Sequence, residues 1–140
     1  MKNLIIALIF LSFKTYSQEI QKPLKVEKND EIFIGVEQQA EFPGGPRGFG
    51  AFLQKKLKYP KKLQRANLKN VSSLVVYVQF VVYEDGSVSD FEILKSVGYG
   101  CDEEATRVLK LTSGMWKPGK KDDVPVRSRF TQPITFVISE

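Results

Sequence analysis

Ten consecutive residues, "LVVYVQFVVY" from Leu74 to Tyr83, are almost all β-branched, aromatic or aliphatic, and Asp85-Gly86 follows at once. Such residues favour a pleated strand, and an Asp-Gly pair favours a tight hairpin. Under period-two alternation Val76, Val78, Phe80 and Val82 share one face, while Val75, Tyr77, Gln79, Val81 and Tyr83 share the other. Both faces are largely apolar, so this strand belongs at the centre of a sheet with neither face fully open to water. The Asp85-Gly86 turn returns the chain as a second, antiparallel strand over Ser87–Leu94.

The flanking segments supply helices. Pro43-Gly44-Gly45-Pro46 forces a turn, and a helix is predicted from about Pro46, with Phe49, Phe52, Leu53 and Leu57 on one face. Gln54, Lys55, Lys56 and Lys58 occupy the other face, and Tyr59-Pro60 stops the helix. Lys61–Leu68 predicts a second short helical turn. Asp102-Glu103-Glu104 place acids where a helix N-terminus favours them, and Ala105, Val108, Leu109 and Thr112 form that helix's inward stripe. Met115-Trp116 leads to a Pro118-Gly119 corner, and Val126–Ile138 reads as a third long strand.

Strand, hairpin, strand, crossover helix and strand specify an α+β fold with a three-stranded, antiparallel-based sheet and an additional N-terminal helix on one face. The first strand lies in the middle, and the last runs parallel to the second and forms an edge. On that last strand Val126, Phe130, Ile134, Phe136 and Ile138 face one way, and Arg127, Arg129, Thr131, Pro133, Thr135 and Val137 the other. Proline is tolerated on an edge because its missing N–H breaks no internal ladder bond, and Arg127 and Arg129 add charge against indiscriminate pairing. An exposed edge is either guarded or used to accept an extended peptide as a further strand.

Lys2, the apolar run Asn3–Phe13 and Thr15-Tyr16-Ser17 read as a signal peptide cleaved after Ser17. Eleven residues at 1.5 Å rise reach roughly 16 Å, against a hydrocarbon core of about 30 Å, so the leader predicts no stable transmembrane span. The division is thus residues 1–17 as leader, 18–35 as a polar tether and 36–140 as the domain, with Glu31–Val36 as a candidate short strand. Losing the leader's two lysines lowers the net charge from +5 to +3.

Enzymatic chemistry finds few carriers. With no histidine among 140 residues, most acid–base catalysis, histidine triads and the commonest metal ligand are excluded. Cys101 is followed by three acids that oppose a thiolate, and it reads as a packed cysteine. Asp122-Asp123 reads as a solvated turn rather than a metal site. Gly44, Gly45, Gly48 and Gly50 do not match a phosphate-binding loop and serve the turn and helix start. Lys55, Lys56, Lys58, Lys61, Lys62 and Arg65 form a basic cluster. It reads as a solvated face or a surface for an acidic partner, with no nucleic acid expected in an exported protein.

Five segments in order then resemble the C-terminal domain of TonB-type energy transducers. They are "FPGG" at Phe42–Gly45, "LKYP" at Leu57–Pro60, "VYVQFVVYEDGSVSD" at Val76–Asp90, "GCDEEA" at Gly100–Ala105, and "WKPGK…PVRSRFTQPITF" between Trp116 and Phe136. The resemblance runs from about Val36 to Ile138. It implies a periplasmic, non-enzymatic domain without cofactor, whose last strand pairs with the TonB box, an extended segment of a TonB-dependent outer-membrane transporter. It carries the peptide-docking role to Tyr59, Pro60, Arg127, Arg129, Thr131, Pro133, Thr135 and Val137, and structural roles to Asp85, Gly86, Trp116, Pro118 and Gly119.

Two positions depart from the family pattern: Leu74, where glycine often precedes the strand, and the turn Asp122-Asp123, where Asn-Gly is often found. Full-length transducers also have an uncleaved membrane helix and a long proline-rich spacer. Three readings stay open: a stand-alone binding module for a transporter or another envelope protein, a structural homodimer whose edges pair with each other, and an anchored transducer that keeps its leader. N-terminal sequencing of the exported protein is expected to begin at Gln18; a chain that begins at Met1 and fractionates with the inner membrane favours the anchored transducer instead.

Overall fold

The structure, a computed structural model, describes residues 31–138. The leader, with its cleavage after Ser17, and residues 18–30 of the tether lie outside those residues. In chain order the elements are α1 (Gly45–Lys56), α2 (Lys61–Arg65), β1 (Ser73–Val82), β2 (Val88–Lys95), α3 (Cys101–Lys110), β3 (Gly119–Lys121), β4 (Val124–Val126) and β5 (Ser128–Val137). The main sheet has the order β2-β1-β5, with β1 antiparallel to both neighbours. This is the α+β arrangement expected, with the hairpin, the crossover helix and the last strand at an edge.

The core lies on the even-numbered face of β1, where Val76, Val78, Phe80 and Val82 are fully buried. Cys101, Ala105, Val108, Leu109 and Thr112 of α3 and its C-terminal turn are buried as well, together with Phe49 of α1. The opposite face is graded rather than closed. Val81 is buried, but Tyr77 is 39% exposed, so only part of the second apolar face of "LVVYVQFVVY" is covered.

Trp116 joins the layers. Its ring lies 5.3 Å from Phe80 of β1, 5.1 Å from Phe130 of β5 and 5.6 Å from Phe42, centroid to centroid. Its indole Nε1 donates to Thr112 Oγ1 at 2.8 Å, so the one polar atom of a buried indole has a partner. The hairpin turn is built against the same residue. Gly86 has a φ of +83°, and a Cβ there would lie 2.3 Å from the Trp116 carbonyl oxygen. Asp85 Oδ1 accepts from the Ser87 N–H at 2.9 Å, closing the turn.

Two expectations are corrected. The last strand starts at Ser128, not Val126, because Val124–Val126 pairs with Gly119–Lys121 in a separate hairpin. Glu31–Val36 forms no strand. The segment instead makes one isolated bridge, Phe33 to Ser128, and just beyond it Gln38 and Glu41 bridge to Lys120 and Lys117. Gly119, at the Trp116-Lys117-Pro118-Gly119 corner, is buried where a Cβ would lie 2.7 Å from Ser128 Oγ.

The small hairpin also answers the question of turn geometry. Asp122 and Asp123 have φ of +50° and +61°, as a two-residue type I′ turn requires. Each aspartate bears the steric cost of the left-handed region, which glycine avoids. Asp123→Gly is therefore expected to stabilise the domain by about 0.5–1 kcal/mol, raising the thermal midpoint by roughly 4 °C. An unchanged or lowered midpoint in a calorimetric scan contradicts that account.

Candidate functional site

The edge of β5 is defined by which main-chain groups point away from β1. The Arg129 N–H donates to the Phe33 carbonyl and the Val137 N–H to the Tyr59 hydroxyl, so odd-numbered residues direct their backbone groups outward. Ile138 N–H donates to Ser72, which fixes even-numbered residues toward β1. Pro133 therefore stands at an outward position. Its missing donor removes nothing from the pairing with β1, where it faces Tyr77 in a non-hydrogen-bonded pair.

The two ends of this edge are occupied. At one end Phe33 N–H donates to Arg127 O at 2.9 Å, and Phe33 O accepts from Arg129 N–H at 3.2 Å. At the other, Tyr59 places its hydroxyl 3.0 Å from the Val137 nitrogen while its ring meets Phe136 edge-on at 5.7 Å. Between them the outward N–H groups of Thr131 and Thr135 are bonded to no group among the described residues. The Pro133 carbonyl accepts from Gln132 Nε2 at 3.0 Å.

Of the residues assigned to docking, Thr131, Pro133 and Thr135 thus lie together on the open run, with exposed side chains and outward backbones, and Val137, also exposed, stands at its closed end with its N–H taken by Tyr59. Tyr59 closes that run, and Pro60 behind it packs under Gly100, where a Cβ would lie 3.0 Å from the proline ring. Arg127 and Arg129 sit elsewhere. They occupy the stretch that Phe33 covers, and the Arg127 guanidinium lies 4.5 Å over the Tyr83 ring with Nε 4.0 Å from Glu84. The N-terminal segment covers that end of the edge, a role that the charge pattern alone had suggested for the two arginines.

Tyr59 is held by a clamp that sequence reasoning did not find. Glu104 on α3 accepts from the Lys58 N–H at 2.7 Å and takes two hydrogen bonds from Arg107, which in turn donates to the Lys56 carbonyl at 2.8 Å. The pair ties the end of α1 to α3 just before Tyr59. Its only sequence signal is an i,i+3 Glu–Arg spacing, which usually serves a helix surface. Partial burial pushes the Glu104 carboxyl up, but bonds from Arg107 and the Lys58 N–H, with the charges of both residues, hold it below its ordinary value.

A second feature missed in the sequence is a cavity of about 220 Å³ beside the edge, walled by Phe42, Phe49, Trp116 and Phe130, with Gly50 and Gln132 at its margin. The phenylalanines were legible only as core. Cys101 is fully buried and its thiol pKa is raised, by burial first and then by Asp102 and Glu103, consistent with a packed residue. Among the described residues no group of three or more His, Cys, Asp and Glu is placed to hold a metal, and no helix is long and apolar enough to cross a membrane.

The family model described as Gram-negative bacterial TonB protein C-terminal matches residues 55–138. A solved structure, the NMR solution structure of Helicobacter pylori TonB-CTD (residues 179-285), is 23% identical; the alignment covers 65% of this chain and 78% of that one, with a TM-score of 0.46. No curated protein matches the chain.

The clamp gives a pH signature. Because Glu104 has a lowered folded pKa, its contribution is present above the unfolded value and is lost as pH falls through the folded one. Wild type should therefore exceed Glu104→Gln in denaturant midpoint at pH 7, and the gap should narrow on acidification below about pH 4. A gap that stays constant between pH 7 and 3 rules out the carboxylate as its source.

Proposed function

The chain belongs to the TonB C-terminal family, and from that membership we propose that it is a periplasmic binding module whose β5 edge takes up an extended, TonB-box-like segment of an outer-membrane transporter, in TonB-dependent transport. The observation that supports this most directly is the run from Thr131 to Thr135. It offers two outward donors at a four-residue spacing, with Pro133 between them and covered backbone on either side.

That pattern suits a selective acceptor. A long bare edge would pair with any strand, whereas an edge capped by Phe33 and Tyr59 presents a short window. Backbone pairing at Thr131 and Thr135 supplies affinity, and neighbouring side chains supply choice. The rigid placement of Tyr59 by Glu104 and Arg107 sets where the window ends.

Titration with synthetic TonB-box peptides from the organism's own transporters tests this reading, with amide NMR shifts expected at Thr131 and Thr135. Thr135→Pro removes an outward N–H that β1 does not use, so the fold should persist while affinity falls about five- to tenfold. Absence of binding by every such peptide at millimolar concentration, or a self-paired dimer that excludes them, overturns it.

A further inference from the structure

The aromatic cavity and the charge beside it say which extended segment fits. Phe130 and Gln132 project from β5 toward the helical layer, and the cavity they border is walled by the buried rings of Phe42, Phe49 and Trp116. A strand added to β5 would direct alternate side chains to that same layer, beside Phe130 and Gln132. An apolar cavity of about 150 Å³ accommodates benzene, and this one is about 220 Å³. It has room for a phenyl or a branched aliphatic group.

The other end of the window is electrostatically distinct. Between Glu41 and Glu84 the chain has no acidic residue and eight lysines and arginines, and β5 has no acid either. Gln64 of α2 borders a second hollow together with Tyr59, Leu63 and Val137. Lys61, three residues before Gln64, shares its helix face, Arg65 stands between Gln64 and Ala66, which both border the hollow, and both side chains are exposed. α1, α2, β1 and β5 bring no acid to this end, and of the acids that α3 packs beside it Glu104 is paired with Arg107 and Asp102 takes the Ser96 hydroxyl and the Val97 N–H, leaving Glu103 against the lysines and arginines, so the excess of positive charge favours a negatively charged partner.

Resting on the strand-pairing reading above, we infer that β5 selects an acidic extended peptide segment that inserts one bulky apolar side chain into the hollow walled by Phe49, Trp116 and Phe130 and sets its carboxylates against Lys61 and Arg65. From Thr131 to Val137 a strand advances about 20 Å at about 3.4 Å per residue. The two recognition elements on the segment therefore lie about five to seven residues apart.

Gly50 makes the cavity testable without disturbing the fold. It is helical, and a Cβ built on it meets nothing within 4 Å. Gly50→Leu thus places a side chain at the cavity mouth, and replacing a helix-interior glycine should hold or raise the thermal midpoint. The probes are a labelled octapeptide of one Phe, five alternating Thr and Val, and two terminal Asp, its reversed sequence, and versions with Phe→Ala or Asp→Asn. Binding is read by anisotropy and by the Thr131 and Thr135 amide shifts.

One order of the Phe peptide is expected to bind wild type about tenfold or more tighter than its Ala version. Gly50→Leu should erase that advantage. Asp→Asn in the peptide, or Lys61→Glu with Arg65→Glu in the protein, should weaken binding and flatten its salt dependence. Peptides that shift both amides yet show no dependence on Phe, on Gly50 or on the charges overturn this inference and leave strand pairing intact. If neither order shifts the amides, strand pairing with segments of this kind fails and the inference falls with it.

Discussion

Trp116 is the contact on which the arrangement depends. A single indole follows the crossover helix and lies within about 6 Å of rings from β1, β5 and the segment before α1. Its N–H is satisfied by Thr112 and its backbone is pressed against Gly86 at the far hairpin turn. One residue therefore sets the distance between helical layer and sheet, the closeness of the β1–β2 turn and the direction in which the chain leaves toward β5. The cavity beside the open edge is a by-product of the same packing, since three of the four phenylalanines that meet the indole, Phe42, Phe49 and Phe130, form a concave wall with it.

The edge itself is a compromise between exposure and control. A three-stranded sheet has two edges, and on this one the chain closes both ends with its own groups while leaving Thr131 and Thr135 open. Tyr59 caps its end of the edge, held directly by Gln64, which donates to its carbonyl, and by the Phe136 ring, and one residue away by a carboxylate on α3 that bonds the backbone of Lys58. Helix, clamp and edge thus work as one unit: moving α3 against α1 would move the boundary of the open run.

Much of the fold was readable because local and global requirements coincide. The β-branched run Leu74–Tyr83, the Asp85-Gly86 turn, the stripe Ala105, Val108, Leu109 and Thr112, and Pro133 on the last strand each point to the element that forms. The errors fall where pairing partners are distant in sequence. Val126 looks like the start of the last strand by alternation, yet Val124–Val126 pairs with Gly119–Lys121 because two aspartates reverse the chain between them. Glu31–Val36 has strand-like residues but contributes a single bridge at Phe33. The open edge was half legible: the outward set on β5 follows from period two, whereas Phe42, Phe49 and Gly50, which wall the cavity beside it, come from in and around α1, far away along the chain.

The sequence by itself determined the element order, the central strand and an edge that tolerates proline, because alternation, turn chemistry and the missing proline N–H are local properties. Only the tertiary structure decided which part of that edge is open, where the aromatic cavity lies and what holds Tyr59. Those features arise from Phe33, Trp116, Glu104 and Arg107 meeting groups up to about a hundred residues away, and no local period encodes such meetings.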